Sequence, residues 1–152
     1  MKRYIAFLLA ALMLCLAGCG NKAASVEMDV ESVYEEMEGT LPEMVIMDEK
    51  TMLNFCGIEA EMCNQVVVAV CADGLRADEI WLIEAADEDA LETLQDLADG
   101  RLLRKGEESV TYSPEQYAVV QEAEVITAGN YLAVIVSPDV DDLVEIFEDA
   151  AN

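Results

Sequence analysis

Residues 65–86 decide the fold of this chain. Gln65 to Ala72 (QVVVAVCA) and Glu79 to Ala86 (EIWLIEAA) are apolar runs rich in β-branched residues, and Asp73-Gly74 lies between them. Runs of this kind are typical of strands, and an Asp-Gly pair is typical of a tight turn. The segment therefore predicts a β-hairpin.

A second hairpin is predicted in the last third of the chain. Glu124 to Thr127 and Tyr131 to Ser137 flank Gly129-Asn130, which supply the positive φ values that a tight hairpin needs. A helix follows each hairpin, one from Asp87 to about Lys105 and one after Ser137-Pro138-Asp139. Two strand-strand-helix units predict an α+β domain with a four-stranded, mainly antiparallel sheet and these two helices on one face.

Extra helices are predicted ahead of the first hairpin. Val26 to Glu38 carries an apolar stripe among acidic residues, and Asp48 to Cys56 is followed by Gly57, a residue that commonly ends helices. Thr40 to Glu43 has the spacing of a helix-capping box. A short helix is also expected to begin at Ser113-Pro114, between the helix that follows the first hairpin and the start of the second hairpin.

Both faces of the predicted sheet must be covered. In Val66 to Cys71 and in Tyr131 to Val136 the alternating residues on both faces are apolar, whereas a sheet with one solvated face alternates apolar and polar residues. The helices between residues 26 and 62 are the expected cover. The alternative is an exposed sheet face around Trp81 and Tyr131 that receives a partner or an apolar ligand.

The first eighteen residues have the features of an export signal. Lys2 and Arg3 precede an aliphatic stretch that is too short to span a membrane, and Leu16-Ala17-Gly18-Cys19 closes it. This ending resembles the lipobox of bacterial lipoproteins, in which the cysteine after the cut carries the lipid. We predict a signal peptide over 1–18, a lipidated Cys19 with a tether over 19–25, and one acidic domain over 26–152 on the extracytoplasmic face of the cell membrane. An ordinary signal peptide cut near Ala17 is the alternative.

The charge balance limits the partners of this protein. The chain has 32 acidic and 8 basic residues and a formal net charge of −24, so nucleic acid and anionic headgroups should be repelled. Acyl chains are therefore expected to hold it at the membrane. The sequence contains no histidine, which removes the commonest general base and zinc ligand, and its eight glycines are too dispersed for a phosphate-binding loop. We expect no enzyme, no cofactor and no nucleic-acid partner.

Two sets of charged residues are candidate sites. The acidic set is Asp87, Asp89, Asp139 and Asp141, and the basic set is Arg101, Arg104 and Lys105. The acidic residues lie at predicted helix N-termini, where capping is the simpler interpretation and a metal site the weaker one. The basic residues lie near a predicted helix C-terminus, where they either complement the helix dipole or dock an anion or lipid headgroup.

The internal cysteines allow three interpretations. Cys56, Cys63 and Cys71 lie among apolar residues, which favours free, buried thiols. One internal disulfide is the second interpretation. A three-thiolate metal site or a redox sensor is the third, with neither a Cys-x-x-Cys motif nor a histidine to support it.

Five short motifs, together with the lipobox, carry a family resemblance. They are Leu41-Pro42-Glu43-Met44, Gly57-Ile58, Ala77-Asp78-Glu79-Ile80, Pro114-Glu115-Gln116-Tyr117 and Gly129-Asn130-Tyr131. In this order they resemble an uncharacterised family of small lipoproteins from Gram-positive bacteria, over nearly the whole mature chain. The resemblance implies a domain of unknown function, with no catalytic residues to carry over.

These observations favour a non-catalytic lipoprotein that binds another protein of the cell envelope. The second hypothesis is a lipoprotein that binds a small ligand or a cation and serves a transporter or sensor. An enzyme that acts through carboxylates alone is the third.

Overall fold

The chain folds as α+β around one antiparallel sheet, as the sequence predicts. The computed structural model describes residues 27–152, without the side chain of Tyr112, so the predicted signal peptide, Cys19 and tether lie outside the described residues. The elements are α1 (Val30–Met37), β1 (Met44–Ile46), α2 (Glu49–Cys56), β2 (Cys63–Cys71), β3 (Glu79–Ala85), α3 (Glu88–Tyr112), α4 (Pro114–Gln121), β4 (Glu124–Ala128), β5 (Tyr131–Val136) and α5 (Val140–Ala150), with a 3-10 turn at Ala60–Met62. No helix among residues 27–152 is long and apolar enough to cross a membrane.

The sheet has five strands in the order β1-β2-β3-β5-β4, and every neighbouring pair is antiparallel. The two predicted hairpins are β2–β3 and β4–β5, and Gly129 in the second turn has a φ of 59°. Strand β3 lies at the centre, where Trp81 faces Val68 on one side and Val134 on the other. The central strand therefore joins the two hairpins into one sheet.

The prediction of four strands is wrong by one, because β1 joins the edge of the sheet. The carbonyl of Glu43 accepts a hydrogen bond from the backbone N–H of Ala72, and the N–H of Met47 donates to the carbonyl of Val68, each at 2.8 Å. The region of the suspected capping box thus leads into a strand. Three residues are too few to show a periodicity that would distinguish a strand from a helix.

The prediction that both long helices lie on one face is also wrong. On one face, α1 and α5 pack against a cluster that includes Leu82 and Ile135. On the other, α2 and α3 pack against Trp81 and Val134. Because both faces of β3 and β5 are apolar, burial requires helices on both sides. The N-terminal helices do cover the sheet, but they are divided between its faces.

Helix α3 is longer than predicted. It continues through Gly100 and Gly106 to Tyr112, and α4 begins directly afterwards. The boundary is marked by Ser113, whose hydroxyl accepts a hydrogen bond from the backbone N–H of Gln116 at 3.3 Å. The basic residues around position 101 therefore lie in the middle of a helix.

Substitution of Met37 tests the role of α1 as a cover. Met37 is fully buried, so Met37→Ala should lower the free energy of unfolding by about 2–5 kcal/mol through lost burial and a cavity. Urea denaturation measures this change. The exposed Glu36→Ala on the same helix is the control, and a loss as small as that of the control would contradict the assignment.

Candidate functional site

A cleft opens at the β1 edge of the sheet, on the face that α2 and α3 cover. It has a volume of about 610 Å³ and lies between the strand edge, α2, the turn between β2 and β3, α3 and the start of α4. Its lining residues are Val45, Ile46, Met47, Asp48, Thr51, Phe55, Val70, Cys71, Gly74, Leu75, Arg76, Ala77, Asp78, Arg101, Lys105, Glu108, Ser109, Ser113 and Gln116. We call this space the edge cleft.

A buried carboxylate, Glu79, lies behind two basic residues that line the edge cleft. Its Oε2 accepts a hydrogen bond from Arg101 Nη2 at 2.8 Å and forms a salt bridge with Lys105 Nζ at 2.9 Å. Its Oε1 accepts from Arg101 Nε at 3.0 Å and from Trp81 Nε1 at 2.8 Å. The Glu79 side chain is 1% exposed, whereas those of Arg101 and Lys105 are 14% and 12% exposed. The carboxylate is thus enclosed, and the two cations retain a path to the cleft.

The spacing of these residues explains how they meet. Arg101 and Lys105 are four positions apart on α3, so they project from the same face of the helix. Glu79 and Trp81 are two positions apart on β3, so they project from the same face of the sheet. That face is the one against which α3 packs. The contact therefore follows from the helical and strand periods once the two elements are packed together.

Glu79 is ionised at neutral pH. Burial raises the pKa of the carboxyl. The hydrogen bonds and positive charges of Arg101 and Lys105 together lower it by more than burial raises it, so the pKa lies below its ordinary value of 4.5. The hydrogen bond to Glu79 also raises the pKa of the Arg101 guanidinium. The cluster is therefore a permanent feature of the fold at neutral pH.

A second ion pair orders the turn that forms one wall of the cleft. Arg76 donates through Nε and Nη2 to the two carboxylate oxygens of Asp78, at 2.9 and 3.0 Å, and the Asp78 side chain is 1% exposed. The backbone N–H of Ala77 donates to Oε1 of Gln116 at 2.7 Å. The turn is thereby fixed to α4, and this wall is built before any ligand binds.

The mouth of the edge cleft is apolar. Seven large apolar side chains are exposed in the described part of the chain. Four of them line the cleft, namely Val45, Ile46, Phe55 and Leu75. Leu75 is 84% exposed and Phe55 is 60% exposed, which is costly for side chains of this size. Apolar side chains gathered at a cleft are typical of a surface that binds something.

The three internal cysteines are free thiols in the structure. Burial raises the pKa of both Cys56 and Cys63 to about 11, so both are protonated at neutral pH. Cys71 lies on the wall of the edge cleft. These positions match the interpretation of the cysteines as small apolar residues.

Trp81 and Tyr131 do not form an exposed sheet face. Trp81 is fully buried and Tyr131 is 4% exposed, and they belong to core clusters on opposite faces. The Tyr131 hydroxyl accepts a hydrogen bond from the backbone N–H of Met28, next to α1. The helices that cover both faces account for the burial of these two residues.

The structure separates the three predicted basic residues. Arg101 and Lys105 line the edge cleft and pair with Glu79, whereas Arg104 is exposed outside it and donates to the carbonyl of Phe55 at 3.4 Å. Because α3 continues to Tyr112, none of them complements the C-terminal dipole of a helix.

The four acidic candidates lie at two helix N-termini and do not line the edge cleft. Asp87 caps α3 by accepting a hydrogen bond from the N–H of Ala90, and Asp89 follows in the first turn. Asp139 and Asp141 lie at the start of α5, which packs on the opposite face of the sheet. Within residues 27–152, no three His, Cys, Asp or Glu side chains are grouped as a metal ion would require.

Sequence reasoning missed the residues that make the cleft recognisable. The sequence places Glu79 only at the beginning of a strand and in one of the family motifs, and it indicates no role in a site for Phe55, Leu75 or Arg76. A charged residue at the start of the EIWLIEAA run, on the same strand face as Trp81, was the available signal for Glu79. Its partner Arg101 is distant in sequence, and only the packing of α3 on β3 brings the two together.

Comparison with known proteins identifies the family. Residues 37–137 match the model of a domain of unknown function, DUF4358. The chain belongs to the DUF4358 family. No curated protein and no solved structure matches this chain.

The DUF4358 segment contains the whole edge cleft. Every lining residue falls between Val45 and Gln116, and the match also takes in Glu79. Helix α5 begins after the segment ends. The cleft of this chain therefore lies entirely within the segment that matches the DUF4358 family.

Glu79→Gln tests the buried cluster of this DUF4358 domain. Loss of the carboxylate leaves two poorly compensated cations, so the free energy of unfolding should fall by about 3–5 kcal/mol at neutral pH. The pKa of Glu79 is lowered on folding, so its contribution is complete above 4.5 and is lost as pH falls through the folded-state pKa. The difference between the two proteins should therefore shrink in acid.

Chemical denaturation of both proteins from about pH 7 to about pH 3 measures this difference. Glu107→Gln, an exposed change of the same charge on α3, is the control and should alter stability by less than about 0.5 kcal/mol. A wild-type advantage that did not change with pH would contradict an ionised Glu79.

Proposed function

We propose that this protein is a non-catalytic binding module of the Gram-positive cell envelope, held at the extracytoplasmic face of the membrane by a lipid on Cys19. Its binding site is the edge cleft, its ligand is a small molecule, and it serves a transporter or a sensor. One observation carries this proposal: the same cleft contains exposed apolar side chains and two cations, Arg101 and Lys105, which the buried carboxylate of Glu79 holds in place.

The dimensions of the cleft support a small ligand. A volume of about 610 Å³ falls within the range of about 300–1,000 Å³ found for small-molecule sites. Its lining combines apolar side chains with polar ones, and two of its cations, Arg76 and Arg101, are held in place by the buried carboxylates of Asp78 and Glu79. Fixed polar groups within an apolar enclosure are the usual basis of specificity in such sites.

The titratable groups of the cleft support a non-catalytic role. A general acid or base works best with a pKa near the working pH. The pKa of Glu79 is moved away from neutrality, and the chain has no histidine. Asp78 is committed to a bidentate pair with Arg76. These groups are arranged to hold charge in place rather than to transfer protons.

The sequence around Cys19 supports the anchor. The basic n-region, the aliphatic stretch and Leu-Ala-Gly-Cys are in the order that lipoprotein processing needs. The short tether after Cys19, Gly20 to Ser25, spans about 20 Å when extended. The domain would then work close to the bilayer, where a ligand from the membrane or the envelope is within reach.

A protein partner is the second candidate occupant. Val45 and Ile46 lie on the edge strand and are more than half exposed, and with Phe55 and Leu75 they form an apolar rim. Such a rim suits docking of another envelope protein. A small ligand fits the enclosed volume better, whereas a protein partner fits the exposed rim better.

A photoreactive amino acid at position 55 distinguishes these occupants. Phe55 can be replaced by benzoylphenylalanine in the full-length lipoprotein, and intact mass can be measured after irradiation of living cells. We expect a small-molecule adduct, because Phe55 lines the cleft. A predominant protein adduct would favour the second candidate instead.

The same replacement at Asn54, an exposed residue of α2 outside the cleft lining, is the matched control. Cys19→Ala tests the anchor and should move the protein out of the membrane fraction. Equal labelling at positions 54 and 55 would contradict the proposed site, and an unchanged membrane fraction would contradict the proposed anchor.

A further inference from the structure

The edge cleft holds most of the basic side chains in the described part of this strongly acidic protein, next to the acidic residues Asp48, Asp78 and Glu108. The described residues contain five basic side chains, of which Arg76, Arg101 and Lys105 line the cleft. Arg76 is neutralised by its bidentate pair with Asp78. Arg101 and Lys105, by contrast, share the single carboxylate of Glu79. Two cations therefore share one carboxylate at salt-bridge distance, and the exposed Glu108 adds a weaker electrostatic attraction on Arg101.

Hydrogen-bond donors also remain at this cluster. The carboxylate of Glu79 accepts hydrogen bonds from Nε and Nη2 of Arg101 and contacts the ammonium group of Lys105 from one side. The remaining N–H groups include those on Arg101 Nη1 and two on Lys105. These side chains line the cleft and are largely shielded from water, where a charge-assisted hydrogen bond is stronger than at an exposed surface. An anionic acceptor would complete their coordination.

The acidic residues of the lining limit how much negative charge can enter. Asp48 caps α2 by accepting a hydrogen bond from the N–H of Thr51, and Glu108 lies on the exposed side of α3. Both line the cleft, and both would repel a second negative charge outside the Arg101–Lys105 pair. A singly charged head group suits this arrangement better than a phosphate cluster.

The apolar lining defines the rest of the ligand. Val45 and Val70 face each other across β1 and β2, and Phe55 and Leu75 extend from α2 and from the β2–β3 turn. Their exposed surface would be buried by an aliphatic body that extends from the cations toward the mouth of the cleft. The charged group and the chain of the ligand thus have separate positions in one cavity.

We propose that the edge cleft binds a free amphipathic monoanion of the acyl-carboxylate class. The carboxylate pairs with Arg101 and Lys105, and the aliphatic chain packs against Phe55, Val45 and Leu75. This assignment rests on the proposed function as a ligand-binding module and adds the chemistry of the ligand.

Calorimetric titration with decanoate, below its micelle-forming concentration, tests the assignment, with decanol as the uncharged probe. Lys105→Gln removes one of the two cations that share Glu79 and keeps the Arg101–Glu79 pair, so it should weaken decanoate binding about tenfold. Arg104→Gln removes the same charge from the same helix outside the cleft and should leave binding within about twofold. Decanol should bind the wild-type protein at least about tenfold more weakly than decanoate.

Two further variants distinguish a loss of binding from a loss of folding. Lys105→Arg retains the charge and should restore most of the affinity that Lys105→Gln loses. Phe55→Ala removes an exposed side chain, leaves the ion pairs in place and should weaken both probes alike. Melting curves of each variant establish that the protein titrated is folded.

The outcomes separate this inference from the proposed function. Equal binding of decanol and decanoate would retain the cleft as a ligand site but overturn the anionic specificity. Failure of both probes to bind, in a protein that still gives a small-molecule adduct at position 55, would overturn the acyl-carboxylate class alone. Lys105-dependent binding to phosphatidylglycerol vesicles, without binding of decanoate, would overturn it in favour of headgroup docking.

Discussion

The ionised carboxylate of Glu79 is the constraint on which the rest of this structure depends. A charge enclosed in the interior is tolerated only when cations and hydrogen bonds compensate it, and both cations come from α3. Arg101 and Lys105 must both reach one carboxyl group, and they can do so only when α3 is rotated about its axis so that their shared face points toward Glu79. The same rotation directs Leu94 and Ala98 into the apolar cluster on that face of the sheet. We interpret the ion cluster as the feature that specifies the position and orientation of α3 on the sheet.

The edge cleft follows from this position of α3 on the sheet. Helix α3 packs on β3 and β5, and α2 is only eight residues long. The β1 edge of that face is therefore covered incompletely, and Val45 and Val70 border an open space instead of a helix. The cations that hold Glu79 reach the same space from its inner side. A cleft with an apolar mouth and with Arg101 and Lys105 at its inner wall is thus a consequence of how α3 packs on the antiparallel sheet.

Local signals predicted most elements of the fold, because each depends on neighbouring residues. Gly129-Asn130 forms the turn of a hairpin, Gly57 ends α2 with a φ of 78°, and Ser113 caps α4. Relations between elements were predicted less well. The strand β1 is defined by hydrogen bonds to β2, and the placement of α3 and α5 on opposite faces is a property of the assembled sheet.

The candidate site shows the same division between local and distant information. The clustering of Arg101, Arg104 and Lys105 in sequence marks them as a candidate site, either for complementing a helix dipole or for docking an anion or headgroup. The sequence does not indicate the carboxylate partner of Arg101 and Lys105, because the pairing joins residues that only tertiary packing brings together. The alternative of an exposed sheet face around Trp81 is wrong, because this side chain is fully buried and its indole N–H donates to Glu79 in the core. A carbon-13 NMR titration of the Glu79 side-chain carboxyl measures whether this buried group is ionised. We expect the signal to remain that of a carboxylate at pH 4.5 and to titrate only below it, because Arg101 and Lys105 lower the pKa. A midpoint above 4.5 would show that the buried group is not stabilised as a carboxylate.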